Sequence, residues 1–178
     1  MKMEATIKIL MIDDDEEDFI IVRDLFAEID RHKYSIEWVQ SYNEGLKQIY
    51  EKKHDAYLVD YRIGADDGLT LINKVVADGF DDPFILLTGQ NDIDVDKQAL
   101  NAGASDFLVK GTISPSILER SIRYGISQAK NLQEIKRLNA DLEKKIIERT
   151  RNLEDAFDEL KKTKRDLEIL LVNEKEGN

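Results

Sequence analysis

The chain has 178 residues, of which 42% are hydrophobic, and this length suits one ordinary domain with an appendage. Its formal net charge is −11, and this excess of acidic residues argues against binding to nucleic acid. Because cysteine is absent, disulfide frameworks, thiolate nucleophiles and cysteine-ligated metal sites are excluded, and a cytoplasmic location fits. We find no secretory signal pattern and no apolar stretch of the about 18 residues that a membrane span needs, so we expect neither secretion nor a membrane span.

Short apolar runs alternate with amphipathic runs through most of the chain. We predict strands at residues 6–12, 35–39, 56–60, 84–88 and 106–109. We predict helices at residues 16–30, 42–52, 68–78 and 92–102, and a fifth from residue 115 onward. Most of the strand runs are apolar without alternation, which is typical of a parallel sheet covered on both faces. With helices between the strands, the sequence predicts an α/β fold with a five-stranded, doubly wound parallel sheet.

The sequence after Pro115 predicts one long helix, because it contains no further proline and only Gly125 interrupts it before Gly177. A heptad spacing of alternating four and three residues is present at Leu153, Phe157, Leu160, Lys164, Leu167 and Leu171. Upstream, a spacing of four residues forms a stutter at Leu138, Leu142, Ile146 and Thr150. We expect a parallel, dimeric coiled coil; a single solvated helix is the alternative.

The distribution of charge indicates two modules. Residues 1–130 contain 25 acidic and 15 basic side chains, whereas residues 131–178 contain 12 and 11. We therefore expect a globular domain at residues 1–127 and a coiled-coil helix, through which two copies associate, at residues 128–178.

Polar side chains stand where four of the predicted strands end. Asp13 and Asp14 follow the first strand, Asp60 closes the third, Thr88 closes the fourth and Lys110 follows the fifth. Each of them alone is typical of a turn, a helix cap or a surface charge. Because parallel sheets place their chemistry at the carboxyl edge, the four strand ends together predict one functional pocket.

These residue types favour phosphoryl chemistry at a metal ion. Three carboxylates at one sheet edge repel each other, and a hard divalent cation, for which Mg2+ is suited, relieves that repulsion. Asp60 can then attack phosphorus as a nucleophile and form an aspartyl phosphate. Lys110 and the Thr88 hydroxyl would stabilise the charge on the phosphoryl oxygens.

With these features, residues 5–125 resemble the receiver domain of bacterial two-component response regulators. The resemblance rests on Met11-Ile12-Asp13-Asp14, Leu58-Val59-Asp60, Asp66-Asp67-Gly68-Leu69, Leu86-Leu87-Thr88-Gly89, Ala102-Gly103-Ala104 and Asp106-Phe107-Leu108-Val109-Lys110. It implies a flavodoxin-like fold and a phosphorelay function. The implied phosphodonor is a cognate histidine kinase, a phosphotransfer protein or a small molecule.

The resemblance also implies roles for single residues around the metal. Asp60 is the implied phosphoacceptor. Asp13 and Asp14 would organise Mg2+ together with Asp60, and Arg62 would offer its backbone carbonyl to the ion.

The implied switch involves Thr88 and Phe107. Phosphoryl oxygens, paired with Lys110, would draw in the Thr88 hydroxyl, and the Phe107 ring would take the vacated space, so that the face of the fourth and fifth helices changes shape. The sequence departs from the family pattern at three places. Ile63-Gly64, in the loop after Asp60, and Gly111 stand where the family often has proline, and Phe107 replaces a commoner tyrosine.

Two other protein classes fit the sequence less well. A flavin-binding domain shares the expected sheet order but needs a hydroxyl- or glycine-rich loop after the first strand, where this chain is acidic. An aspartate-dependent phosphatase usually carries a second aspartate two residues past the nucleophile, where this chain has Arg62. We therefore expect no enzyme acting on external substrates, only gain and slow loss of the domain's own phosphoryl group.

The tail is similar, at residues 139–143 and 147–153, to signalling helices that precede histidine kinase cores. Neither His32 nor His54 lies on the long helix, and a glycine-rich nucleotide loop is absent. We expect the chain to be the amino-terminal part of a hybrid sensor histidine kinase. The alternative is a complete stand-alone response regulator that dimerises through its tail.

Overall fold

The computed structural model describes residues 6–30, 32–89 and 93–176. In that part of the chain the strands are β1 (Ile7–Ile12), β2 (Tyr34–Val39), β3 (Ala56–Asp60), β4 (Arg62–Ile63), β5 (Asp66–Asp67), β6 (Phe84–Thr88) and β7 (Asp106–Val109). The α-helices are α1 (Glu16–Ala27), α2 (Tyr42–Tyr50), α3 (Gly68–Ala77), α4 (Ile93–Asn101) and α5 (Pro115–Glu176). A short 3-10 helix, Lys110–Thr112, joins β7 to α5.

Five of the strands form one parallel sheet in the order β2-β1-β3-β6-β7. The chain moves from β1 outward to β2, returns past β1 to β3, and continues through β6 to β7. The reversal between β1 and β3 is a topological switch point, where doubly wound sheets form a crevice at the carboxyl ends of their strands. The predicted five-stranded, doubly wound α/β fold is confirmed.

Helices cover both faces of the sheet because successive side chains of a strand point to opposite sides. On one face, residues such as Ile12 and Val59 pack in a core with α2 and α3. On the other face, residues such as Met11 and Leu58 pack in a core with α1 and the first turns of α5. Burial of this apolar surface, at about 25 cal/mol per Å2, is the main favourable contribution to the fold.

The uniform burial expected of the strands holds for the central ones. Strands β3 and β6 are buried along their whole length. Burial alternates along β2, and β7 is mostly half-buried. Both are edge strands, with a neighbour on one side only, so part of their surface stays accessible.

A short antiparallel hairpin, β4–β5, lies between β3 and α3 and was not predicted. Arg62 pairs with Asp67 across it, and Gly64 in its turn has a φ of 63°. Strands of two residues are too short to show a periodic pattern. The first three helices end one to three residues earlier than predicted, at Ala27, Tyr50 and Ala77. Residue 92, the predicted start of the fourth helix, lies outside the described residues.

The long helix predicted after Pro115 is confirmed as α5, which runs to Glu176. The chain forms two compact units, Met1–Gln133 and Glu134–Asn178, and the division expected at residues 127 and 128 stays a prediction. In the second unit the predicted seam is exposed, Leu153 by 70% and Leu160 by 67%. The side chain of Leu171 lies outside the described residues. Among the helices described, none is long and apolar enough to cross a membrane.

Candidate functional site

Five of the predicted site residues, Asp13, Asp14, Asp60, Thr88 and Lys110, lie at the carboxyl ends of four neighbouring strands. Strands β1, β3, β6 and β7 are consecutive in the sheet, and Asp13, Asp60, Thr88 and Lys110 stand at their ends. Asp13, Asp60 and Thr88 are buried, and Asp14 is exposed. A cavity of about 330 Å3 opens at this edge, and its lining includes Asp60, Thr88 and Lys110. The fold thus brings together side chains that are up to 97 positions apart in the chain.

The ammonium group of Lys110 lies among three carboxylates. Its Nζ donates to Asp13 Oδ2 at 2.9 Å and to Asp18 Oδ2 at 2.5 Å, and it lies 2.8 Å from Asp60 Oδ1. Burial by itself lowers the pKa of Lys110, but the hydrogen bonds to the three carboxylates outweigh burial, and the pKa is raised. Lys110 is therefore a stable cation that connects β1, α1 and β3.

Three carboxylates, two of which also contact Lys110, fit a divalent cation. Oxygens of Asp13, Asp14 and Asp60 lie within 4.8 Å of one another. Burial raises the pKa of Asp13 from 3.8 to about 6, because the hydrogen bonds from Lys110 and Asp15 offset only part of the effect. Burial also raises the pKa of Asp60. Carboxylates that resist ionisation are stabilised as anions by a hard cation, and all-oxygen donors suit Mg2+, so these residues fit that ion.

The backbone after Asp60 is in tight contact with the start of α3. The N–H of Arg62 donates to Asp60 Oδ2 at 3.2 Å, and the N–H of Gly68 donates to the carbonyl of Tyr61 at 3.0 Å. A Cβ atom on Gly68 would lie 2.0 Å from the carbonyl oxygen of Asp60, so this approach requires glycine. Arg62 lines the cavity, and the role of its carbonyl as a metal ligand stays a prediction.

The two predicted switch residues have different surroundings. Thr88 is 3% exposed and lines the cavity. Phe107 lies on the neighbouring strand β7, where it pairs in register with Leu86. It is half-buried and packs against the core beneath α2 and α3. Thr88 can therefore meet a group bound in the cavity, whereas Phe107 belongs to the adjoining core.

Asp106 links the backbone of Phe107 to helix α5. One carboxylate oxygen of Asp106 accepts the N–H of Phe107 at 2.9 Å. The other accepts the hydroxyl of Ser121 at 2.7 Å. Ser121 is buried on α5, so one side chain joins β7 to the helix packed on the sheet.

Two residues of the site were missed in the sequence. Asp18, in the first turn of α1, contacts Lys110 and lines the cavity, but in the sequence it belongs to an acidic run typical of a helix start. The indole N–H of Trp38 donates to the carbonyl of Asp13 at 2.7 Å, and its ring stacks on Phe19 with centroids 4.7 Å apart. In the sequence, only the position of Asp18 shortly after the end of the first predicted strand pointed to a role in the site. No sequence pattern pointed to Trp38.

Comparisons with known proteins give a family for this arrangement. The response regulator receiver domain family matches residues 9–122. The chain is 30% identical over 103 residues to protein RcaC of Microchaete diplosiphon, an alignment covering 58% of this chain and 15% of RcaC. It is 29% identical over 114 residues to the response regulator MprA of Mycolicibacterium vanbaalenii, covering 64% of this chain and 48% of MprA. The chain therefore spans less than half the length of these two relatives.

A solved receiver-domain structure has the same fold as this chain. The BeF3-activated N-terminal receiver domain of RstA from Klebsiella pneumoniae superposes with a TM-score of 0.60 at 25% identity, covering 68% of this chain and 99% of that one. The match to the family model spans residues 9–122, which include the acidic cluster and Lys110. The chain belongs to the response regulator receiver domain family.

Proposed function

We propose that this chain acts in phosphorelay signalling as a phosphoacceptor, and that Asp60 takes the phosphoryl group. The observation that carries the proposal is the setting of the Asp60 carboxylate, which lies 2.8 Å from the Lys110 ammonium and lines a cavity together with Thr88. A carboxylate nucleophile beside a fixed cation and a hydroxyl donor is the arrangement that phosphoryl transfer to aspartate needs.

The side chains would divide the chemistry among them. An oxygen of Asp60 attacks the phosphorus atom of the donor, and a bond from phosphorus to Asp60 forms. The bond from phosphorus to the donor's histidine nitrogen, or to the carboxyl oxygen of a small donor, breaks. Lys110 pairs with one phosphoryl oxygen, and the Thr88 hydroxyl donates to another.

The proposed metal ligands are the carboxylates of Asp13, Asp14 and Asp60 and the backbone carbonyl of Arg62. Their clustering within 4.8 Å supports the three carboxylates. Bound there, Mg2+ would neutralise charge on the phosphoryl oxygens. The burial of Asp13 keeps one ligand fixed in place before the ion binds.

The proposed donors are a cognate histidine kinase, a phosphotransfer protein or a small phosphodonor such as acetyl phosphate. The chain would act on no external substrate. Its own reactions would be the gain of a phosphoryl group and its slow hydrolysis. A cytoplasmic location, expected from the cysteine-free sequence, is part of the same proposal.

Intact mass measured after incubation with acetyl phosphate and Mg2+ tests the phosphoacceptor. We expect wild type to gain the mass of one phosphoryl group and Asp60→Asn to gain none. Asp24→Asn makes the same change on the exposed part of α1 and should behave as wild type. Equal labelling of wild type and Asp60→Asn would refute Asp60 as the acceptor.

We propose a switch in which the Thr88 hydroxyl moves toward the phosphoryl group and the ring of Phe107 responds. The position of Thr88 on the cavity supports the first step. The hydrogen bonds of Asp106 to Phe107 and to Ser121 supply a connection from β7 to α5. The readout would be a changed surface on the face formed by α4 and α5.

We further propose that two copies of the chain associate through residues 128–178. Apolar side chains follow the heptad spacing on α5 and are more than half exposed, among them Leu153, Phe157 and Leu160. An exposed, mainly apolar stripe of this kind marks an interaction surface. The nearly balanced charge of this segment allows two copies to approach each other.

For the whole protein we propose a hybrid sensor histidine kinase in which this receiver and helix precede the catalytic part. The similarity of residues 139–143 and 147–153 to signalling helices supports it. The alternative is a stand-alone regulator that dimerises through its tail. The nucleotide sequence after the codon for Asn178 distinguishes them, since a continuing frame with a kinase core supports the first and a stop codon supports the second.

A further inference from the structure

The Nζ atom of Lys110 lies within 2.9 Å of an oxygen of each of three carboxylates, those of Asp13, Asp18 and Asp60. Asp13 and Asp60 belong to the acidic cluster that fits a metal ion. Asp18 belongs to a different element, the first turn of α1, and its contact with Lys110 is the shortest of the three, at 2.5 Å. Asp18 is therefore a separate restraint on the cation that the proposed chemistry needs.

Asp18 also lines the cavity that a phosphoryl group on Asp60 would enter. Its side chain is 26% exposed, and that of Lys110 is 18% exposed, so the contact is only partly screened by water. A phosphoryl group carries a charge of about −1.5 to −2 near neutral pH. Such a group on Asp60 takes the place of the Asp60 carboxylate beside Lys110, so it shares the ammonium group with Asp13 and Asp18. Asp18 would also face it as a like charge.

We propose that Asp18 is a positioning residue which competes with the phosphoryl group for Lys110 and thereby shortens the life of the phosphorylated state. This inference rests on the proposed function of Asp60. In the hydrolysis, water adds to phosphorus and the bond from phosphorus to the Asp60 oxygen breaks. The electron pair stays on Asp60 as a carboxylate, and inorganic phosphate leaves with one proton of the water while the other goes to solvent.

The competition between Asp18 and the phosphoryl group for Lys110 favours the dephosphorylated state of the protein for two reasons. Hydrolysis restores the Asp60 carboxylate as the third partner of Lys110, which recovers the arrangement that Asp18 supports. It also removes the dianion that Asp18 repels. Removing the charge of Asp18 should therefore lengthen the life of the phosphoryl group on Asp60.

Three variants of the full chain test this role. Asp18→Asn keeps the shape and an oxygen acceptor but removes the charge, and Asp18→Glu keeps the charge. Glu17→Gln removes the same charge from the neighbouring, exposed position in the same helical turn. Each protein is phosphorylated with acetyl phosphate and Mg2+, the donor is removed, and the loss of the phosphoryl group is followed by intact mass.

We expect Asp18→Asn to lose the phosphoryl group roughly threefold more slowly than wild type. Glu17→Gln should match wild type, and Asp18→Glu should lie closer to wild type than Asp18→Asn does. Melting temperatures of all variants are measured alongside, because a purely structural role would change them without changing the decay rate. If Asp18→Asn is not folded at the assay temperature, Asp18→Ser replaces it.

The outcomes separate this inference from the proposed function. A wild-type chain that gains no phosphoryl group refutes the proposed function and the inference with it. A wild-type chain that is phosphorylated and decays at the same rate as Asp18→Asn, or more slowly, overturns the role of Asp18 alone. Slower decay in both Asp18→Asn and Glu17→Gln also overturns it, since general surface charge would then be the cause.

Discussion

The indole N–H of Trp38 donates a 2.7 Å hydrogen bond to the backbone carbonyl of Asp13, a candidate metal ligand. Trp38 is the only tryptophan of the chain, so its fluorescence reports on this site alone. We expect a saturable change in emission on titration with Mg2+, because a ligand that shifts Asp13 also changes the polarity around the indole. The change should be absent when NaCl of equal ionic strength replaces MgCl2.

The variant Asp13→Asn gives the decisive comparison for this fluorescence signal. It keeps the backbone carbonyl that Trp38 contacts but removes the carboxylate charge. An unchanged response in Asp13→Asn would show that the signal does not come from metal binding at the acidic cluster.

Stabilisation by Mg2+ should depend on pH through Asp13. Because the pKa of Asp13 is raised from 3.8 to about 6 in the fold, its contribution to the stability of the metal-free protein is fully present below about pH 4 and is lost as pH rises through about 6. Mg2+ binds the ionised form. The increase in melting temperature on exchanging EDTA for Mg2+ should therefore be small near pH 5 and larger near pH 7.5.

Asp13→Asn is the control for this pH dependence, because its amide does not ionise in this pH range. Mg2+ should raise its melting temperature only slightly at either pH. An equal rise in the melting temperature of wild type at both pH values would contradict the assignment of Asp13 as a metal ligand.

Gly68→Ala should destabilise the receiver. Its Cβ would lie 2.0 Å from the carbonyl oxygen of Asp60, so the start of α3 or the end of β3 must move. We expect a loss of about 2–3 kcal/mol in the free energy of unfolding, typical of overpacking, measured by urea denaturation. A Cβ on Gly111 meets nothing within 4 Å, so Gly111→Ala should change stability by less than about 0.5 kcal/mol. Equal effects of the two variants would contradict the close contact.

If two copies associate through the tail, a single charge placed on the apolar seam of α5 should weaken the dimer. Light scattering should find a dimer for the full chain and a monomer for residues 1–133, the first compact unit. Leu160→Glu, which places a charge on the apolar seam, should raise the dissociation constant of the dimer at least about tenfold. Asn152→Glu makes the same charge change off the seam and should have little effect. A dimer formed by residues 1–133 alone would place the interface elsewhere.

Most of the fold could be predicted from sequence because its signals are local. The runs that become β3 and β6 are apolar up to their last residue, as are the last four residues of β1, and the structure buries all of these residues. The polar residues that end them follow the same chain segments, so a parallel sheet necessarily gathers Asp13, Asp60 and Thr88 at one edge. No long-range information was needed for this step.

The missed features depend on contacts between distant segments. The pairing of Asp18 with Lys110 joins residues 92 positions apart, and the bond from Trp38 to Asp13 joins residues 25 positions apart. Neither changes the local periodicity that sequence patterns report. The hairpin β4–β5 was missed for a different reason, since strands of two residues carry too few side chains to form a pattern.

The two hydrogen bonds that the Asp106 carboxylate accepts, from Phe107 N–H and from the Ser121 hydroxyl, restrict how strand β7 can move relative to helix α5. Any sliding of β7 against α5 would stretch the bond to Phe107 N–H or the bond to Ser121 Oγ, and a hydrogen bond to a charged group contributes about 1.5–3 kcal/mol. Rotation of the Phe107 ring about its own side-chain torsions breaks neither. The side chain of Phe107 can therefore change its torsion angles without loss of the Asp106 link between β7 and α5.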